Sequence, residues 1–158
     1  MGAVLQRFIG KFEEFRSLDP GEPFSIRVTE QEAEDAAREY LAENKEGVSQ
    51  MIRKAAGVSL EVSDPEVRFY RDEIGLSLRG GRGPLKVRAS LNADVRWNGR
   101  PYVNVRSVEL PFVKVTPQKL NSLVEAPLLS AMGKVTQYAD IRSFQITTGS
   151  ALLEAIRK

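Results

Sequence analysis

Residues 85–97 alternate without a break. Leu85, Val87, Ala89, Leu91, Ala93, Val95 and Trp97 are separated by Lys86, Arg88, Ser90, Asn92, Asp94 and Arg96. Side chains of a strand point to opposite faces in turn, so one face is apolar and the other polar. Thirteen residues at about 3.4 Å each make a strand of about 44 Å. Strands commonly run only about 5–6 residues. A long strand with one dry and one wet face belongs to an antiparallel sheet that is covered on one side. Any fold for this chain must therefore supply an apolar layer as long as that strand.

The neighbouring segments supply candidates. Asn98-Gly99 follows the strand directly and is the strongest short hairpin signal. Tyr102–Val115 runs back. Its apolar residues change parity, from Val103 and Val105 to Val108, Leu110 and Phe112. A parity change with no loss of apolar content predicts a β-bulge near Arg106-Ser107. Upstream, Val58–Val62, Val67–Phe69 and Ile74–Leu78 are further short strands. Turns are predicted at Asp64-Pro65 and at Arg71-Asp72-Glu73, and a flexible connection at residues 80–84.

Helical spacing appears in three places. Thr29 with Glu32 three residues later forms a capping box. Ala33, Ala36, Ala37, Tyr40, Leu41, Val48, Met51, Ile52 and Ala55 then recur on one stripe. One helix over 30–56 is predicted, bent near Gly47 and ended by Gly57, roughly 40 Å long. Thr116-Pro117 starts a second helix, with its apolar stripe over Leu120–Met132. Pro127 should kink or divide it and Gly133 should close it. Residues 4–15 are amphipathic, with Val4, Leu5, Phe8, Ile9, Phe12 and Phe15 on one stripe. They pack on this domain or on a partner, or else form a membrane-proximal stalk. Leu18–Pro23 is a stiff linker after them, so the chain divides into a helix and linker, 1–23, and one domain, 24–158. Phe24–Val28 and Ile141–Ile146 are strands, and Ala151–Lys158 is a strand or a short helix.

Composition removes several chemistries. The 158 residues contain no Cys and no His. Thiol nucleophiles, disulfides, His-containing triads and His or Cys metal sites are excluded. No convergent acid, base and nucleophile emerges from the remaining carboxylates, Lys and Tyr, so a non-enzymatic role without cofactor or metal is expected. Asp72-Glu73 and Glu34-Asp35 suit a turn and a helix surface. The net charge is only +2, so nucleic acid is not an implied partner. No run of apolar residues is long enough to span a bilayer.

The expected class is α+β: a long N-terminal helix on a strongly curved antiparallel sheet, with a second helix near 117–132. The segments Phe24–Glu32, Val95–Val103 and Ser107–Pro111, with the Leu-rich helix after them, resemble small bacterial membrane-anchored envelope proteins related to the tubular lipid-binding (TULIP) superfamily. The resemblance covers roughly residues 24–158 and its motifs are a turn, a bulge and two helix caps. It implies a long helix wrapped by a bent sheet, with a lipid or other apolar molecule held between them. It also implies an extracytoplasmic, membrane-associated location through an anchor outside this sequence; a cytoplasmic location is the alternative.

The expected site is a helix–sheet groove lined by Tyr40, Leu41, Met51, Ile52, Val87, Leu91, Val95, Val103 and Val105. Small residues on both surfaces, Ala33, Ala36 and Ala37 facing Ala89 and Ala93, allow either an elongated tunnel or close backbone packing. The expected partners are thus a lipid or apolar small molecule and a membrane surface. The competing reading is a packed protein–protein assembly module, self-associating through the sheet edge or residues 4–15. Two surface features are weighed beside these. Arg79, Arg82, Lys86 and Arg88 form a basic cluster that contacts phosphate groups or is a solvated strand face. Trp97 and Tyr102 flank the hairpin tip and form either a membrane-interface anchor or a cross-strand pair.

Overall fold

The structure, a computed structural model, describes residues 2–111 and 114–158. Its order is α1 (Ala3–Ser17), β1 (Pro23–Thr29), α2 (Glu30–Glu43), α3 (Lys45–Ala56), β2 (Glu61–Tyr70), β3 (Glu73–Arg82), β4 (Leu85–Trp97), β5 (Pro101–Glu109), α4 (Pro117–Thr136), β6 (Ala139–Thr147) and β7 (Ser150–Arg157). The strands form two antiparallel sheets, β2-β3-β4-β5 and β1-β7-β6. The mixed helix-and-antiparallel-sheet class is as expected. The long helix on one sheet is not.

The residues expected to form one helix form two. The capping box is present: Glu32 N–H donates to Thr29 Oγ1 at 3.2 Å and Thr29 N–H to Glu32 Oε1 at 3.4 Å. Gly57, at φ 74°, ends α3 as expected. The break falls at Asn44 rather than at Gly47. Asn44 sits at φ −124°, ψ 33°, and its side-chain amide donates to the Tyr40 carbonyl at 3.0 Å. That local bond is the means by which Asn competes with helix propagation.

Four expected interruptions are absorbed instead. Asp64-Pro65 makes a bulge inside one continuous strand, with the β2–β3 register shifting between Ser63 and Glu66. The bulge takes Pro65 out of the ladder, so its missing N–H costs no pairing. Gly80 and Gly81 stay in β3, paired with Val87 and Lys86, and the turn follows them. Helix α4 runs through both Pro127 and Gly133 to Thr136. Its stripe continues past Gly133 to Val135, which packs on the core with Met132, and at Pro127 the helix continues with one backbone hydrogen bond missing. The bulge at Arg106 is present: Ala93 pairs with Val105 and Asn92 with Ser107, leaving Arg106 as the extra residue. Strand β5 ends at Glu109, short of Val115; Phe112 and Val113 lie outside the described residues. Residues 150–157 are a strand, and β7 is the centre of its sheet.

The core has two clusters. Phe15, Ala139, Ile141 and Ala155 are buried together, with Phe12, Leu18, Phe24 and Trp97 packed against them. The Phe15 and Phe24 rings lie 4.9 Å apart. Val67, Phe69, Ile146 and Ala151 form the other, under Val28, Ala33, Leu76 and Val95. The end of α1 is thus part of the core, and an ion pair between Arg7 and Glu32 ties it to α2. The β2–β3 turn joins the two sheets. Asp72, at φ 56°, donates its N–H to the Ile146 carbonyl at 3.0 Å and accepts from Val95 N–H at 3.0 Å.

The accessible surface is 10042 Å², where about 7,900 Å² suits a 17.6 kDa monomer. The layers are open, and much apolar surface is only half covered. Stability therefore depends on few residues. Phe15→Ala should cost about 3–5 kcal/mol in denaturant unfolding, because Phe15 is 2% exposed. A loss below about 1 kcal/mol would mean that α1 does not belong to the core.

Candidate functional site

The dry face of β4 does not meet a continuous helix. Its Val95–Trp97 end packs on the β6 side of the core, and its Ala89–Leu91 end opens between α3 and the start of α4. Between them is an apolar groove of about 120 Å³. The register explains it. Leu76 pairs with Leu91, Leu78 with Ala89 and Leu91 with Val108, so these side chains share one face across three strands. Val108 reaches that face only because the Arg106 bulge resets the parity of β5. Ile52, Ala55 and Ala56 of α3 form one wall, and Val115 and Leu120 form another. Ser90 has the only polar side chain among the described lining residues.

Of the residues expected to line the site, Leu91 and Ile52 do so. Val105 is 5% exposed in the core, and Val95 packs on the Val67 cluster. Val87, Val103 and Leu41 are half-buried outside the groove lining. Tyr40 and Met51 are 51% and 46% exposed. The helix break accounts for the helical members, since α2 and α3 do not present one stripe, while Val95 and Val105 are drawn into the core beneath the sheet. The larger lining residues missed include Leu60, Val62, Leu76, Leu78, Val108, Leu110, Val115 and Leu120. Their alternation was visible, but strand register decides which of them meet.

A larger concavity of about 900 Å³ opens beside the groove and shares Leu60, Val62 and Gly80 with it. Lys45, Arg79 and Lys86 line it with Glu46, Glu61 and Asp64. Arg79 Nη1 lies 3.4 Å from Asp64 Oδ2. Ser49 Oγ donates to the Leu60 carbonyl at 3.1 Å, which ties α3 to the shared rim. The groove thus has an apolar throat and a charged mouth of balanced sign.

The basic cluster is largely neutralised. Arg79 pairs with Asp64, and Arg88 Nη2 lies 2.9 Å from Glu66 Oε2; the Arg82 side chain lies outside the described residues. The aromatic pair does not form either. Trp97 packs into the core opposite Pro101, while Tyr102, opposite Arg96, is 51% exposed on the other face.

The carboxylates are structural. Val67 N–H donates to Glu34 Oε1 at 3.0 Å and Phe69 N–H to Glu30 Oε1 at 3.3 Å. Strand β2 is a sheet edge, so α2 supplies acceptors for donors that the ladder leaves open. Arg68 bridges the same two carboxylates, at 3.1 Å from Glu34 and 3.4 Å from Glu30. Asp35 pairs with Arg38, and Asp72 holds the sheet-joining turn through its backbone.

This chain matches no protein-family model, no curated protein and no solved structure. Among the described residues, no helix is long and apolar enough to cross a membrane.

Glu34→Ala should lower stability by about 1–3 kcal/mol, since it leaves the Val67 N–H without its acceptor. Glu34→Gln keeps a side-chain oxygen there and should retain most of that stability. Equal losses in the two variants, measured by urea unfolding, would contradict the edge-capping role.

Proposed function

We propose that the protein is a non-enzymatic binder of an amphipathic ligand, a lipid or similar elongated molecule. Its apolar part enters the groove between α3 and the β2–β5 face, and its polar end rests in the charged mouth. The observation that carries this reading is the lining: fourteen apolar or glycine residues around one serine, open at one end to a polar concavity. Apolar contacts alone drive insertion there, at about 25 cal/mol per Å² removed from water. A kinship with tubular lipid-binding envelope proteins, and with it an extracytoplasmic, membrane-associated setting, is part of the proposal.

Volume sets a condition. A cavity of about 150 Å³ accepts benzene, whereas drug-sized ligands occupy roughly 300–1,000 Å³. At about 120 Å³ the groove takes the end of one chain as it stands. Deeper entry requires α3 to move outward about its two ends, Asn44 and Gly57. Helix α3 suits that motion, because Ala55 is its only fully buried residue among those described.

A second reading rests on the excess surface. The chain exposes about 2,100 Å² more than a compact monomer of its mass. A standard interface covers about 800 Å² per partner, so self-association would account for part of it.

Leu91→Arg should weaken binding of a fluorescent fatty acid at least about tenfold, while Asn92→Arg, on the opposite face, should leave it unchanged. Ala89→Phe, which fills the groove without charge, should also block the probe and keep the fold. Equal affinities for Leu91→Arg, Ala89→Phe and the unaltered protein would contradict the groove. A mass that doubles with concentration, with no probe bound, would favour assembly.

A further inference from the structure

We propose that the wet face of the β4–β5 hairpin is a second, independent site, which takes a phosphoryl-type dianion. A concavity of about 530 Å³ lies there, and among the described residues no aliphatic side chain lines it. Arg96, Arg100 and Arg106 all face it, with Asp94, Tyr102 and Asn104.

The charges do not balance locally. Arg106 Nε lies 2.7 Å from Asp94 Oδ2, and Asp94 is 8% exposed beneath it. That pair is neutral and fixes the plane of the Arg106 guanidinium. Arg96 and Arg100 have no ion-pair partner among the described residues. Both are exposed and line the same concavity, so their guanidiniums are open to an anion there. Most other arginines of the sheet, including Arg68, Arg79 and Arg88, do have carboxylate partners. Two spare positive charges fit a dianion, and the guanidinium fork fits phosphoryl oxygens.

The polar groups beside them are held in place. Beside the Arg106 bulge, Asn121 of α4 meets the edge of β5, where Val105 N–H donates to Asn121 Oδ1 at 2.8 Å. A backbone N–H only donates, so it fixes which way the Asn121 amide points. Asn121 Nδ2 then donates to Asn104 Oδ1 at 3.2 Å. This leaves the Asn104 amide nitrogen as a donor beside the arginines. The Tyr102 hydroxyl, on a side chain 51% exposed, is a further donor. The one-residue bulge thus places Arg106 over Asp94, and Asn121 beside it orients Asn104. Re-aiming side chains is a known use of such bulges.

Residues Asp94 and Arg96 lie on the face of β4 opposite to Ala89 and Leu91, so this site stands or falls separately from the apolar groove. The phosphoryl group comes either from a soluble phosphate monoester or from a phosphatidic-acid-type headgroup.

The test is a ¹⁵N NMR titration with inorganic phosphate, chloride being used to hold ionic strength constant. Shifts should be confined to residues 94–106 and Asn121. The double variant Arg96→Gln, Arg100→Gln should keep its melting temperature and bind phosphate about tenfold more weakly or worse. Co-sedimentation with phosphatidylcholine vesicles, with and without phosphatidic acid, identifies the source. Vesicle binding that needs phosphatidic acid and is competed by free phosphate assigns a headgroup; phosphate binding without vesicle binding assigns a soluble monoester. Absence of shifts in 94–106, or undiminished phosphate binding by the double variant, would overturn the proposal.

Discussion

Strand β4 divides the molecule into a dry and a wet side, and both candidate surfaces depend on that division. Its odd residues carry the floor of the apolar groove through Ala89 and Leu91. Its even residues carry Asp94 and Arg96 to the opposite face. Its partner β5 does not alternate strictly, because its apolar residues change parity from Val103 and Val105 to Val108. The extra residue Arg106 in β5 absorbs the change. Before it, Val103 and Val105 match the dry side; after it, Val108 does. One inserted residue keeps the groove apolar and adds a guanidinium to the wet face.

The rest of the fold protects that sheet rather than enclosing it. Its two edge strands are capped from helices. Glu30 and Glu34 of α2 accept from β2, and Asn121 of α4 accepts from β5. Unpaired edges invite pairing with other chains, and these side chains occupy the open donors. Asp72 joins the four-stranded sheet to the three-stranded one by backbone bonds. With the edges satisfied and the sheets joined, the domain keeps its shape although few residues are fully buried. The half-covered apolar face beneath α3 follows from that economy.

Local signals were legible in the sequence wherever the chemistry was local. The Thr29–Glu32 capping box, the Gly57 stop, the Thr116-Pro117 start and the Arg106 bulge each depend on a few neighbouring residues. Breakers were less legible. Asn44 stops a helix where Gly47 does not, because its side chain bonds back to Tyr40. Pro65 does not end its strand, because a bulge takes it out of the ladder, and α4 continues through Pro127 with one helical hydrogen bond missing. The groove was legible only in kind. Alternation showed that β3 and β4 each have a dry face, but register decides that Leu78 meets Ala89 and Leu76 meets Leu91. The dispersal of Tyr40 and Met51 away from the groove follows from the split helix, and that of Val95 from the packing of β4 on the second sheet, both tertiary outcomes. Asn121 as an orienting residue carried no sequence signal at all.

Native mass spectrometry of the purified protein, followed by organic extraction and lipid analysis, tests the central claim most directly. Ligand binding in the groove predicts a mass above that of the 158-residue chain by one defined increment, lost on extraction and recovered as an amphipathic molecule. A bare chain mass, with nothing recovered from the extract and no uptake when lipid is added back, would contradict it.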